Sequence, residues 1–244
     1  PYGAEFIEAG IPAKVWTFGL DSIADVYPEE SRILTDGIYL RLSTPRGHIA
    51  FKSPLLGRLN AMNLFAVVAT LLALEHSPSS IEKAMPQLRP INGRMELVSR
   101  SDAPYHIVVD YAHTPEALEQ ALNSLRKHTT NNVWCVFGCG GERDNGKRPK
   151  MGSVADRLAD SIVLTNDNPR SEDPLEILKQ IESGIRCKTP LCIPDRQEAI
   201  AYAISHAQVG DLVLIAGKGH ETDQVMNRDR RPFSDKVVVN NILE

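Results

Sequence analysis

Asp167-Asn168-Pro169-Arg170 sets an acid three positions before a base, across an Asn-Pro step. Proline locks its own φ and pushes the preceding residue out of the helical region. The segment is therefore a rigid turn from which Asp167 and Arg170 project as a preset pair. An arginine fork holds a carboxylate with two parallel hydrogen bonds, and an aspartate or asparagine accepts from an ammonium. A ligand with both groups, an amino acid, fits such a pair. A structural turn bearing a surface ion pair is the plainer alternative.

Three other segments share this texture. Gly138-Cys139-Gly140-Gly141 leads into Glu142-Arg143-Asp144-Asn145-Gly146-Lys147-Arg148. It is not the dinucleotide fingerprint, because Arg143 stands where the third glycine belongs, and it lacks the Gly-Lys-Ser/Thr ending of a phosphate loop. Arg143, Lys147 and Arg148 beside Asp144 form a basic cluster suited to anionic substrate groups. Asp110-Tyr111-Ala112-His113 offers a base or ligand in His113, or equally a helix-start histidine bonded to backbone. In Gly217-Lys218-Gly219-His220-Glu221 the small residues let backbone approach a ligand, and Gly217 and Glu221 are stronger candidates than His220.

The elements that position these segments are legible as alternating runs. Strand-like stretches are His106–Val109, Val133–Phe137, Ser161–Leu164 and Leu212–Ile215, each followed directly by one of the four segments. Between them lie helical patterns at Pro115–Lys127, Lys150–Leu158, Pro174–Ile185 and Arg196–Ala207. Pro115 and Pro174 suit first-turn positions, with Thr114 and Asp173 as caps. Alternation of strand and helix predicts a doubly wound, mostly parallel, Rossmann-like α/β sheet. Such sheets bind ligands beyond the carboxyl ends of their strands, where all four segments fall.

The front of the chain differs. Ile38–Leu42 and His48–Phe51 read as a hairpin or adjacent strands. Asn60 to Glu75 is apolar all round and reads as a helix buried on most faces. Ser80 looks like the N-cap of a short helix ending near Met85, and Pro86 to Asn92 is the best linker. Two domains are expected, 1–92 and 93–244.

A net charge of -4 and a pI near 6.0 give no support to non-specific nucleic-acid or anionic-membrane binding. The longest apolar run, Leu64–Leu74, is too short to span a bilayer. Cys135, Cys139, Cys187 and Cys192 form no CxxC pair, and a cytoplasmic protein with free thiols is expected. The chain opens on Pro1 without an initiator Met, which suggests a piece of something longer.

With these segments in view, the sequence resembles the Mur ligases. The resemblance rests on Asn60-Ala61-Met62-Asn63, Gly93-Arg94-Met95-Glu96, Asp110 to Pro115, Gly138-Cys139-Gly140-Gly141 through Arg148-Pro149, Asp167-Asn168-Pro169-Arg170, and Ala216 to Glu221. They run in family order over nearly the whole chain. The resemblance implies an ATP- and Mg2+-dependent, amide-bond-forming ligase of peptidoglycan synthesis, monomeric, that joins an amino acid to a UDP-N-acetylmuramoyl dipeptide through an acyl phosphate. It implies that Arg94 approaches the ATP phosphates as the catalytic cation, that Asp110 holds the ribose, and that Asn60 and Asn63 border the adenine. The Asp-Asn-Pro-Arg signature marks members selecting meso-2,6-diaminopimelate over lysine. Arg143, Asp167, Asn168, Pro169, Arg170, Gly217 and Glu221 would then form that substrate's site.

The family's UDP-substrate domain and Gly-Lys-Thr phosphate loop have no counterpart in this sequence. Residues 1–92 are then a remnant of the central ATPase domain, 93–244 the C-terminal domain, and the metal ligands lie outside this chain. Such a piece is expected not to turn over ATP alone. A lysine-adding ligase or a folylpolyglutamate synthase keeps the fold and changes the substrate; a binding module keeps the fold without catalysis.

Overall fold

A computed structural model describes residues 13–99, 103–227 and 229–244. The chain divides into two units, Pro1–Pro54 with Arg58–Leu88, and Leu55–Gly57 with Arg89–Glu244. The division at Leu88/Arg89 falls inside the proline-bearing stretch 86–92.

In the front unit, β1 (Tyr27–Leu34), β2 (Gly37–Thr44) and β3 (Gly47–Ser53) form an antiparallel meander. The two alternating runs are β2 and β3, joined in register with Leu40 opposite Phe51. Strand β1 was not anticipated: its centre, Glu29 to Arg32, is exposed and shows no apolar alternation. Helix α1 (Arg58–Ala73) corrects one expectation. Ala61, Leu64, Phe65, Val68, Ala69 and Leu72 are buried, a stripe at helical spacing, whereas Leu59 and Val67 are exposed. Helix α2 (Pro78–Ala84) corrects another, because its cap is Ser77. Ser77 takes an extended backbone and accepts from the Ser80 N–H, while Pro78 supplies a preset φ at the first helical position.

The second unit is a six-stranded sheet in the order β4-β5-β9-β6-β7-β8. The strands are β4 (Glu96–Leu97), β5 (His106–Asp110), β6 (Val133–Phe137), β7 (Ser161–Leu164), β8 (Leu191–Cys192) and β9 (Leu212–Ala216). All neighbours run parallel except the edge pair β4–β5. The connections carry α3 (Pro115–Leu125), α4 (Lys147–Leu158), α5 (Pro174–Glu182) and α6 (Arg196–His206). A hairpin, β10 (Asp223–Met226) with β11 (Asp229–Pro232), and helix α7 (Asp235–Leu243) follow β9.

Strand side chains alternate between two cores, the pattern of a sheet covered on both faces. Val108, Cys135, Phe137, Ile162, Leu164, Leu212 and Leu214 pack with Leu118 and Leu122 of α3, Met151 and Ala155 of α4, and Ile177 and Ile181 of α5. Ile107, Val109, Val136, Val163, Val213 and Ile215 pack with Ala199, Ile200, Ala203 and Ile204 of α6 and Val238 and Val239 of α7. Thr114 and Asp173 cap α3 and α5 as expected, accepting from Ala117 and Leu175 N–H groups, and Asp195 does the same for α6. Helix α4 begins three residues earlier than its apolar pattern suggested, at Lys147. Among the described residues no helix is long and apolar enough to cross a membrane.

The α4–α5 contact is set by the absence of a side chain at Gly152. A Cβ there would lie 2.1 Å from the Ile181 carbonyl oxygen. Gly152→Ala is expected to lower unfolding stability by about 1–3 kcal/mol, because the helices must separate. Urea denaturation measures this, and an unchanged midpoint would contradict the close approach.

Candidate functional site

Strands β5, β9, β6 and β7 end side by side: Asp110 pairs with Ala216, Val136 with Ile215, and Phe137 with Leu164. The chain skips from β5 to β6 and later returns to insert β9 between them. This is a switch point of a doubly wound sheet, where side chains from diverging loops leave a crevice. A cavity of about 400 Å³ lies there. Its walls are Tyr111, His113 and Thr114 after β5, and Gly138, Cys139, Gly140, Arg143, Asp144 and Lys147 after β6. Asp167, Asn168 and Arg170 after β7 and Gly217 and Glu221 after β9 complete it. The structure thus brings together Arg143, Asp167, Asn168, Arg170, Gly217 and Glu221. Pro169 is buried in the same turn but is not part of the wall.

Asp167 is buried, and burial pushes its carboxyl above the usual range, with Arg196 and Lys218 pulling it back only in part. Gly217 explains how backbone comes so close. Its φ is +112°, and a Cβ would stand 2.7 Å from Asp167 Oδ2. Asp167 and Arg170 do not form a surface ion pair. Arg170 Nη1 donates instead to the carbonyls of Gly141 at 2.7 Å and Asn168 at 3.4 Å.

Arg170 itself has φ +53°, a left-handed conformation unusual for a residue with a side chain. Backbone pairing holds it there. Its N–H donates to the Val225 carbonyl, and it forms a parallel bridge with Met226 of β10. Val225 N–H in turn donates to Asn168 Oδ1 at 2.9 Å, and Gln224 Nε2 to the Asp167 carbonyl at 2.9 Å. The hairpin is therefore a buttress for the Asp-Asn-Pro-Arg turn, and its sequence gave no sign of that role.

Lys218 is a second component missed in sequence. Fully buried, its ammonium donates to Asn168 Oδ1 at 3.1 Å, Glu221 Oε2 at 3.0 Å and the Asp223 carbonyl at 2.6 Å. Asn168 Nδ2 also donates to Glu221 Oε2, at 2.9 Å. Burial alone would push the Glu221 carboxyl up, but the Asn168 amide and then the Lys218 ammonium hold it below the usual carboxylate range.

The basic cluster after β6 needs correction. Arg143 and Lys147 line the cavity, but Arg148 does not. It lies in the first turn of α4, fully buried, with Nη1 2.8 Å from both Glu172 Oε2 and Gln180 Oε1 and Nη2 3.2 Å from the Gly140 carbonyl. It braces the glycine loop instead of meeting a ligand. Lys147 Nζ donates to the His113 carbonyl at 2.8 Å, and the His113 ring contacts the Tyr111 carbonyl at 2.9 Å. Both histidines pack by Tyr111, with ring centres 4.5 Å away for His113 and 5.2 Å for His220. Cys139 has its thiol pushed up to about 12 by burial and meets Met151 Sδ at 3.6 Å, so it serves as an apolar wall.

Arg94 is exposed, its guanidinium 4.1 Å from the Tyr111 ring centre. Its loop is pinned on both sides: Gly93 N–H donates to Glu96 Oε2 at 2.8 Å and Met95 N–H to Asp110 Oδ2 at 2.7 Å. Asp110 Oδ1 accepts from Ala112 N–H at 2.8 Å, and burial pushes this carboxyl up despite the two N–H groups. A carboxylate can accept further bonds, so these do not exhaust it. Asn60 and Asn63 lie in the front unit on one face of α1, with Asn63 Nδ2 3.3 Å from Asn60 Oδ1.

Fold and cavity together define a doubly wound α/β domain with charges of both signs at its switch point. Residues 93–219 match the family described as Mur ligase, glutamate ligase domain. The chain is 45% identical over 228 residues to a UDP-N-acetylmuramoyl-L-alanyl-D-glutamate–2,6-diaminopimelate ligase of Geobacillus kaustophilus, covering 93% of this chain and 46% of that protein. It is 47% identical over 225 residues to the Pseudomonas aeruginosa ligase of the same name, covering 91% and 46%. A solved ligase of that name superposes with a TM-score of 0.78 at 38% identity, over 99% of this chain and 51% of the other. A folylpolyglutamate synthase of Mycobacterium tuberculosis, at 19% identity and a TM-score of 0.65 over 88% of this chain and 48% of the other, shares the fold. The chain belongs to the Mur ligase family. It spans about half the length of the curated relatives it matches.

Asp167 carries a test by linkage. Its folded pKa lies above the ordinary 3.8, so its contribution to stability is present below 3.8 and lost as pH rises through the folded value. Asp167→Asn removes that loss. The difference in Tm between variant and parent should rise in the variant's favour as pH climbs above the ordinary 3.8 and level off only once pH has passed the folded value. A difference that is flat or falls with pH would contradict the buried, raised carboxyl.

Proposed function

We propose that this chain is the amino-acid-receiving part of an ATP-dependent ligase that adds meso-2,6-diaminopimelate to UDP-N-acetylmuramoyl-L-alanyl-D-glutamate. One observation carries the reading: Asp167, Asn168 and Glu221 share a single cavity wall with Arg143, Lys147 and Arg170. A diamino dicarboxylic acid presents two ammonium and two carboxylate groups, and this wall supplies partners for each sign. Glu221 and Asp167 receive ammonium, and Arg143 and Arg170 receive carboxylate. The relatives' names support the particular substrates.

Selection against lysine follows from Arg170. Lysine has hydrogen where diaminopimelate has its second carboxylate, so Arg170 would keep only the carbonyls of Gly141 and Asn168 as partners. A site built for a polar group rejects the analogue lacking it much more strongly than it rejects a missing methylene.

ATP would activate the acceptor carboxylate as an acyl phosphate, and Mg2+ would neutralise phosphate charge. Arg94 would meet the phosphates, with Asp110 at the ribose. The pinned Gly93–Glu96 loop supports Arg94 in that role, since a cation on a fixed loop needs no reorganisation. Among the described residues no cluster of His, Cys, Asp or Glu fits a metal ion. The chain's own contribution is to orient the incoming amine, which must shed a proton as its nitrogen displaces phosphate.

Calorimetric titration tests the substrate assignment. Meso-diaminopimelate should bind the unaltered chain, and Arg170→Ala should weaken it about 10- to 150-fold, the range for a hydrogen bond to a charged group. Lysine should bind weakly to both. Equal affinity of parent and variant for meso-diaminopimelate would refute the role of Arg170; no binding to the parent would refute the substrate.

A further inference from the structure

Lys218 sits between two cavity-lining positions, one residue after Gly217 and three before Glu221, yet is itself shut away from cavity and solvent. An ammonium has three N–H donors, and here three acceptors meet them: Asn168 Oδ1, Glu221 Oε2 and the Asp223 carbonyl. Nothing remains to offer a ligand. The geometry therefore excludes direct recognition by Lys218 and leaves it a different task.

That task is visible in what the two side-chain acceptors can still do. Asn168 Oδ1 accepts from both Lys218 and the Val225 N–H. Rotating the amide by half a turn would set its NH2 against two donors, so only one orientation is allowed. In that orientation Nδ2 donates to Glu221 Oε2, which also receives the Lys218 proton. Oε2 is thus occupied twice from behind. The Glu221 side chain keeps 33% of its surface exposed and lines the cavity, which leaves Oε1 as the oxygen for an incoming donor. The same ammonium anchors Asp223, the first residue of β10, and so ties the hairpin that holds Arg170 to the loop that holds Glu221.

We infer that Lys218 is a positioning residue for the incoming amino acid: it fixes the rotamers of Glu221 and Asn168 and couples the ammonium-binding loop to the Arg170 turn without touching the ligand. The inference rests on the reading of this cavity as the amino-acid site. A pre-ordered carboxylate loses less conformational freedom on binding than a mobile one, so the effect belongs in affinity.

The test is a mutant cycle read by calorimetry with meso-diaminopimelate. Lys218→Met, which keeps length and removes charge, should weaken binding by about tenfold or more, the worth of a charged hydrogen bond. Glu221→Gln should weaken it as well. The double variant should lose clearly less than the product of the two single losses, because Lys218 acts through Glu221. Unchanged affinity in Lys218→Met, or effects that simply multiply, would overturn the inference while leaving the site reading intact. Failure of the unaltered chain to bind would instead sink the site reading. Should Lys218→Met fail to fold by circular dichroism, Lys218→Gln and a carboxyl-carbon NMR titration of the unaltered chain decide. Glu221 should titrate below the ordinary 4.5, and an ordinary titration would overturn the inference.

Discussion

The guanidinium of Arg196 lies without solvent exposure behind the carboxyl ends of β7 and β9, and the site in front depends on how that charge is met. Asp235 binds it in a fork, with Nε–Oδ1 at 2.7 Å and Nη2–Oδ2 at 2.8 Å, and both side chains are fully buried. Nη2 also donates to the Ala216 carbonyl at 2.9 Å and Nη1 to that of Asn166 at 3.4 Å. A buried ion pair repays its desolvation only when geometry is good and the leftover protons find acceptors, and both conditions hold here. Losing one partner would strand the other charge, at about 3–5 kcal/mol. Ala216 and Asn166 each precede a cavity residue, Gly217 and Asp167. One cation thereby spaces the loops that carry Gly217 and Asp167, and α7 is bound to the sheet in the same act.

Charge then propagates forward in layers. Behind the cavity are Arg196 and Asp235; in its wall are Asp167 and Glu221, with Lys218 enclosed between Asn168, Glu221 and Asp223. Asp167 is the uncomfortable member, its carboxyl pushed up by burial. Glu221 is held down by its neighbours. Environment therefore drives two carboxylates on one wall in opposite directions, and such divergence is common at functional sites because binding needs charge where folding would avoid it. The stability that Asp167 forgoes is supplied elsewhere, by the two apolar cores and by the closed hydrogen bonding around Lys218.

Much of this was legible in sequence and some was not, for physical reasons. Strands β6 and β7 could be read to the residue, since an unbroken apolar run between turn signals leaves little choice. Thr114-Pro115 and Asp173-Pro174 marked helix starts because a cap and a preset φ are local effects. Strand β1 and the β10–β11 hairpin escaped because their residues stay exposed or half-buried, and backbone pairing leaves no apolar pattern. Arg148 was misread because a cluster of charges in sequence says nothing about which way a helix turn points them. Its partners Glu172 and Gln180 lie in later segments. Lys218 was passed over for a similar reason, since Asn168 lies fifty positions earlier and only the β7–β9 arrangement brings the two together.

The Asp-Asn-Pro-Arg turn shows how such long-range bonds change the meaning of a short motif. Asn-Pro stiffens the chain but does not place Arg170 at φ +53°, which for a residue with a Cβ costs about 1–2 kcal/mol. The placement is offset by the hairpin, through the Arg170 N–H to Val225, and by Asn168, which reaches Val225 with its own side chain. The guanidinium is further anchored on the Gly141 carbonyl, so its fork is oriented before any ligand arrives. Neutral carbonyls occupy Nη1 but leave the charge of the guanidinium unmatched, and a carboxylate would supply that match. Whatever Arg170 meets, the hairpin and the Asn168 amide are what keep its backbone from relaxing to another conformation.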